Sequence, residues 1–209
     1  MNDVHDNDPA VIEAAIRALL ASGVDAGRSR LSEIAFTKVE IPKRVPLSPV
    51  QSARIFWSDR FGCRYCGERT IPTPIMQLVS LIWPDLFPYH PNWRGGVTHP
   101  AIISRSPVVD HVDPGARGGS WSDESNLVTA CWPCNVRKGD LSLEQFGGRL
   151  LARPNWAWDG LTSLYPALYD AAGRPNPSRH KPYLRAFAQL RSSDPFHLQA
   201  PSSAGMCPT

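Results

Sequence analysis

Four of the five cysteines stand in two pairs, Cys63-Arg-Tyr-Cys66 and Cys131-Trp-Pro-Cys134, and threaded between them are Asp110-His111 and Asn126, with Asn135 directly after the last thiol. Each Cys-x-x-Cys turn aims two thiolates at one ion. Four thiolates close a tetrahedron and leave no position for a substrate, so the pairs predict a structural zinc site. The separation of the pairs exceeds the spacing of a simple zinc ribbon, which places a substantial folded segment inside the clip. The competing uses of such cysteines are a thioredoxin-like redox pair or reduced core thiols, but a redox motif has no need of a second matching pair. Cys207 stands apart near the end of the chain.

The oxygen and imidazole groups between the pairs carry different chemistry. Asp110-His111-Val-Asp-Pro-Gly-Ala-Arg117-Gly-Gly119, then Asn126, then Cys131-Trp-Pro-Cys134-Asn135, resembles the HNH endonuclease family in residue type, order and spacing over residues 48–147. The resemblance implies an α+β fold, with a small ββα-metal core, a structural zinc site and flanking helices. It implies that His111 is the general base that activates water, a task for a side chain that titrates near neutrality. By the same resemblance Asp110 and Asn135 hold a catalytic divalent metal, and Asn126 positions the base. An amide oxygen in place of an imidazole makes that site hard, which favours Mg²⁺ or Mn²⁺ over softer ions. One geometric difficulty is visible at once, because adjacent strand residues point to opposite faces, and Asp110 and His111 must serve one phosphate.

The elements that must position these groups are marked by local signals. Asp8 and Pro9 open a helix whose Ile12, Ala15, Ile16, Leu19 and Leu20 recur at helical spacing until Gly23. Residues 35–41 read as a strand, followed by a proline-marked linker. Ser48 and Gln51 form a capping box for a helix through Ala53, Phe56 and Trp57 that delivers the chain to Cys63. Thr73 and Pro74 open a third helix, which Pro84 ends. Residues 86–100 read as an irregular loop in which His90 and His99, with Trp93 between them, serve loop packing, with contact to substrate or a second metal as the alternative. Residues 101–104 and 107–112 are β-prone, 113–125 loop-like, and 126–130 a return strand. Pro133 and Gly139 bracket a short helix carrying Asn135 and Lys138, and Ser142 with Gln145 signals another helical start. Residues 161–172 and 182–190 read as helices. Trp156, Trp158 and Tyr165 read as core filling, with an aromatic platform for an unpaired base as the alternative.

The expected organisation is an N-terminal helix and linker over 1–47, the nuclease domain over 48–150, a C-terminal helical extension over 151–191 and a disordered tail over 192–209. A formal net charge of +3 does not by itself demand a nucleic-acid partner. The location of charge points to DNA: Arg137 and Lys138 follow Asn135 on the motif helix, and Arg117 sits in the loop beside the base, each placed to neutralise a phosphate. The basic run Arg174, Arg179, His180, Lys181, Arg185 and Arg191 either extends that footprint or is a solvated helix face. The acidic start and the lack of any long apolar stretch exclude a secretory signal and a membrane span and predict a cytoplasmic protein. A single active site cuts one strand, so a homodimer or another protein partner stays open. The leading expectation is a metal-dependent endonuclease hydrolysing DNA, in restriction or defence, against a zinc-stabilised nucleic-acid-binding module without catalysis.

Overall fold

The computed structural model describes residues 8–34 and 46–194 and divides the chain into two units, residues 1–42 and 43–209. The expected strand over 35–41 and the tail from 195 onward lie outside the described residues. In the first unit α1 (Asp8–Ser22) follows its sequence signals. Gly23, at φ 92°, turns the chain directly into α2 (Val24–Leu31), a helix without a sequence signature of its own. The two helices touch at Gly27, where a Cβ would stand 2.9 Å from the Ala15 carbonyl oxygen. Val11 and Ala15 are the buried residues of α1.

In the second unit the Ser48 capping box forms in both directions, with Gln51 N–H donating to Ser48 Oγ at 3.2 Å and Ser48 N–H donating to Gln51 Oε1 at 2.9 Å. It starts α3 (Pro49–Ser58), and α4 (Thr73–Ile82) begins and ends at its proline boundaries. Ala53, Phe56 and Trp57 of α3 and Ile75 and Leu78 of α4 share one core with Tyr165 and Tyr169 of α7 (Tyr165–Ala171) and Phe187 of α8 (Pro177–Ser193). Residues 151–194 are therefore part of the core that supports the motif. Asp194 fastens the end of α8 to α3, accepting from Trp57 Nε1 at 2.9 Å and from Arg60 Nη1 at 2.5 Å. His180 is buried 2.8 Å from the Tyr165 hydroxyl, so it does not belong to a basic footprint.

Three helix expectations shift. Residues 101–104, read as β-prone, lie in α5 (Pro100–Arg105), because Pro100 occupies the first turn and His99 Nδ1 caps it by accepting from Ala101 N–H at 3.2 Å. The Ser142–Gln145 box forms at 3.1 and 3.2 Å, but Gly147 at φ 69° turns the chain before a helix can propagate. The helix expected from 161 begins only at Tyr165. Asp159 accepts from the N–H groups of Leu161 and Ser163 at 3.0 and 2.8 Å and holds a turn there, with Leu161 at φ 64°.

Against this core lies a two-stranded antiparallel sheet, β1 (Pro107–His111) and β2 (Leu127–Cys131), in register from Pro107 opposite Cys131 to His111 opposite Leu127. The chain passes from β2 straight into α6 (Trp132–Lys138), closed by Gly139 at φ 50°. The fold is thus α+β, with a ββα unit set among helices; the described residues hold eight α-helices and this one sheet. Asp59, almost wholly buried at the end of α3, ties the layers together. It accepts from Thr129 N–H of β2 at 2.7 Å and pairs with Arg64 at 2.7 Å and Arg153 at 3.1 Å. Among the described residues no helix is long and apolar enough to cross a membrane.

Candidate functional site

The first thiol pair sits on a knuckle just beyond α3. Arg60 and Phe61, at φ 51° and 52°, reverse the chain, and Gly67 N–H closes the knuckle on the Cys63 carbonyl at 2.8 Å. The second pair spans the junction from β2 to α6. The four sulfurs all lie within 4.8 Å of one another, and Cys66 Sγ is 3.8 Å from Cys131 Sγ. A tetrahedral ion with metal–sulfur bonds of about 2.3 Å spaces its sulfurs about 3.8 Å apart, so the set fits one four-coordinate thiophilic metal. The Cys63 thiol is pulled down to about 5, chiefly by a hydrogen bond with Cys131, whose own thiol is raised by that contact. Burial pushes Cys66 up to about 11. Four thiolates this close need a cation to ionise together. Arg137 Nη2 donates to Cys134 Sγ at 3.2 Å, placing a positive charge beside the group.

Asp110 is buried in β1 and is held from two sides through a single oxygen. Its Oδ2 accepts from the Tyr65 hydroxyl at 2.5 Å and lies 3.3 Å from Lys138 Nζ. Burial, then the Asp110 contact, raises the Tyr65 phenol and keeps it protonated as a donor. Among the described residues Oδ1 of Asp110 accepts no hydrogen bond, and the Asn135 amide makes none. Asn135 stands three residues before Lys138 and so shares its face of α6, the face that meets Asp110. A carboxylate oxygen and an amide oxygen left without partners suit a hard divalent cation.

Lys138 departs from its expected role. Its side chain is 0% exposed, and its ammonium donates to the His111 carbonyl at 2.6 Å as well as pairing with Asp110. It clamps α6 to β1 and offers nothing to a phosphate. Lys138→Met keeps the stem and removes the charge that balances Asp110, and should cost about 3–5 kcal/mol of stability by urea denaturation. Adding Asp110→Asn should recover most of it. A loss below about 1 kcal/mol would mean that the pair does not hold strand and helix together.

His111 closes β1 and is half-buried. Its Nε2 lies 3.1 Å from the Trp121 carbonyl oxygen, and its ring meets the Trp121 indole edge-on at 4.8 Å. A carbonyl only accepts, so Nε2 carries the proton and Nδ1 keeps the lone pair. His111 also lines, with Val109, Thr73 and Tyr183, an open cavity of about 550 Å³. Asp110 and His111 leave the strand on opposite faces, as the pleat requires, one toward Tyr65 and Lys138 and the other toward Trp121.

Asn126 does not bond to the His111 ring. Its amide accepts from Asp113 N–H at 2.8 Å and donates to the carbonyls of Asp113 at 3.0 Å and Ser120 at 2.9 Å, so it closes the loop over 113–126. The next carbonyl, that of Trp121, is the one that holds His111. Gly119 makes the closure possible, since a Cβ there would stand 1.9 Å from the Asp113 carbonyl oxygen. Arg117, exposed in this loop, donates to the Asp140 carbonyl at 2.6 Å beyond α6. His99 packs against Phe87 at 4.4 Å within the loop, whereas Trp93 packs edge-on at 5.0 Å against Trp132, the first residue of α6.

Sequence reasoning missed Tyr65 and Trp121. A phenol inside a Cys-x-x-Cys knuckle was the only local signal for the first; nothing local marked the Trp121 carbonyl. No curated protein and no solved structure matches the chain. Residues 100–141, which hold β1, the Asn126 loop, β2 and α6, match the family model described as HNH endonuclease. That segment of the ββα unit, with the thiol group at its base, is thus similar to the HNH endonuclease family over 42 of the 209 residues.

Proposed function

We propose that this protein is a divalent-metal-dependent endonuclease that hydrolyses DNA phosphodiester bonds, with His111 as general base. The observation that carries the reading is the Trp121 carbonyl on His111 Nε2, which leaves Nδ1 to take a proton from water. Asp110 Oδ1 and the Asn135 amide oxygen are the ligands for Mg²⁺ or Mn²⁺. That ion, when bound, stabilises charge on the scissile phosphate and the departing oxygen. Tyr65 and Lys138 fix the Asp110 carboxylate so that one oxygen stays anchored while the other is presented. Asn126 sets the loop that sets His111. Arg117 and Arg137, both exposed, are the cations placed to meet the DNA backbone. Cys63, Cys66, Cys131 and Cys134 hold a structural zinc that joins the knuckle after α3 to the start of α6. Double-strand cleavage would then call on a second copy or a partner.

One observation favours the alternative of a nucleic-acid-binding module without catalysis: the Lys138 ammonium already balances the Asp110 charge. Supercoiled plasmid incubated with the pure protein separates the two. Conversion to open-circular or linear DNA in Mg²⁺ or Mn²⁺, and not in their absence, supports the nuclease. A protein that retards plasmid without cutting it in either metal overturns that reading.

Gly115→Ala probes the same geometry from outside the ligand set. A Cβ at Gly115 would stand 2.1 Å from the Trp121 ring, so the indole and its carbonyl must move. Cleavage should fall about 10²-fold, as for other small displacements of catalytic groups, with little change in Tm. Unchanged cleavage would detach Trp121 from the mechanism.

A further inference from the structure

Beyond the HNH unit, Trp156 and Trp158 line a cavity of about 490 Å³ beside the cysteine knuckle, with Arg69 and Arg105 on its walls. Both indoles are fixed. Trp156 Nε1 donates to the Arg60 carbonyl at 2.8 Å and Trp158 Nε1 to the Thr70 carbonyl at 3.1 Å, and Trp158 also packs against the core, so each ring is held with one side on the cavity. The Trp156 ring also lies against Gly62, where a Cβ would be 3.0 Å from it. The Arg69 guanidinium lies over both rings, 5.2 Å from the Trp156 centroid and 5.4 Å from that of Trp158. Arg69 is exposed and, among the described residues, pairs with no carboxylate, whereas Arg105 pairs with Glu68.

A flat, preorganised aromatic pair capped by an exposed planar cation suits a ligand that is itself flat and carries an anion. We propose that this cavity is a stacking slot for one unpaired nucleobase of the DNA, with Arg69 moving from the rings to a flanking phosphate. The inference rests on the nuclease reading for the identity of the polymer. Placement agrees with it, because Arg105 lies two residues before β1 and His111 ends that strand. The six residues from Arg105 to His111 span at most about 20 Å, a reach of about six phosphates at 3.4 Å per nucleotide of one strand.

The test uses the full chain without added Mg²⁺ or Mn²⁺ and single-stranded oligonucleotides carrying 2-aminopurine at successive positions, whose fluorescence is quenched by stacking on an indole. Saturable quenching is expected for single strands and for a duplex with one unpaired 2-aminopurine, and not for a fully paired duplex. Arg69→Glu should weaken binding about 10-fold or more. Trp158→Leu should weaken binding and lower the quenching at saturation, and Trp158→Phe, which keeps a stacking face, should restore the affinity. Quenching that is absent at every position, or unchanged in amplitude in Trp158→Leu, overturns the slot; so does a purely electrostatic loss in Arg69→Glu with Trp158→Leu unaffected. A plasmid assay run in parallel separates the two readings: cutting without quenching removes the slot alone, and quenching without cutting removes the nuclease alone.

Discussion

Replacing His111 with alanine leaves a folded protein that still binds its thiol-held metal and cuts plasmid about 10²–10⁴-fold more slowly than the wild type. The magnitude follows from the role. With Nε2 donating to the Trp121 carbonyl, Nδ1 is the one basic atom of the ring, and its loss leaves water to attack without a proton acceptor. The fold survives because His111 ends its strand, and its backbone carbonyl, which accepts from Lys138, is untouched by the substitution. Melting temperature and metal content serve as controls. A variant that cuts as fast as the wild type refutes the assignment of the base.

Cys66→Ser is expected to give the largest effect on stability. Cys66 is the exposed member of the four, so its loss opens no cavity and reports the metal alone. Structural zinc sites contribute folding free energy directly, because the unfolded chain holds no such site. The ββα unit here leans on the core of α3, α4, α7 and α8, so complete unfolding is not expected. A loss of about 4 kcal/mol or more, seen as a Tm lowered by about 8–16 °C, is the expected scale for a domain of this size. Cleavage should disappear with it, since Cys134 and Asn135 are neighbours on the first turns of α6 and disorder in one displaces the other. Metal analysis should find about one zinc per chain in the wild type and less in the variant. A zinc-free wild type of equal stability would sink the four-thiolate site.

The thiol group and the strand, loop, strand, helix order of the motif were legible in the chain because they are written in short-range spacing. The two Cys-x-x-Cys turns each bring their sulfurs together within a few residues, whatever surrounds them. The capped starts of α3 and α6 were equally readable, since caps act within one helical turn. Local signals failed where a neighbour outvoted them. Residues 101–104 carry β-prone side chains, yet Pro100 and His99 begin a helix there, and the Ser142 box was stopped by Gly147.

By itself, then, the sequence determined which thiol, carboxylate, imidazole and amide side chains the motif carries, and the order in which strand, loop, strand and helix present them. The tertiary structure alone decided how they are used. Lys138 reads as a phosphate-binding cation on the surface of its helix, but it is spent inside, on Asp110 and a carbonyl 27 residues away. Tyr65 meets Asp110 across 45 residues, and Asn126 serves the loop instead of the imidazole. The physical reason is the same in each case. A buried charge or amide takes its nearest complementary partner, and which partner is nearest is set by how the core closes distant segments, which residue types within a turn of each other do not encode.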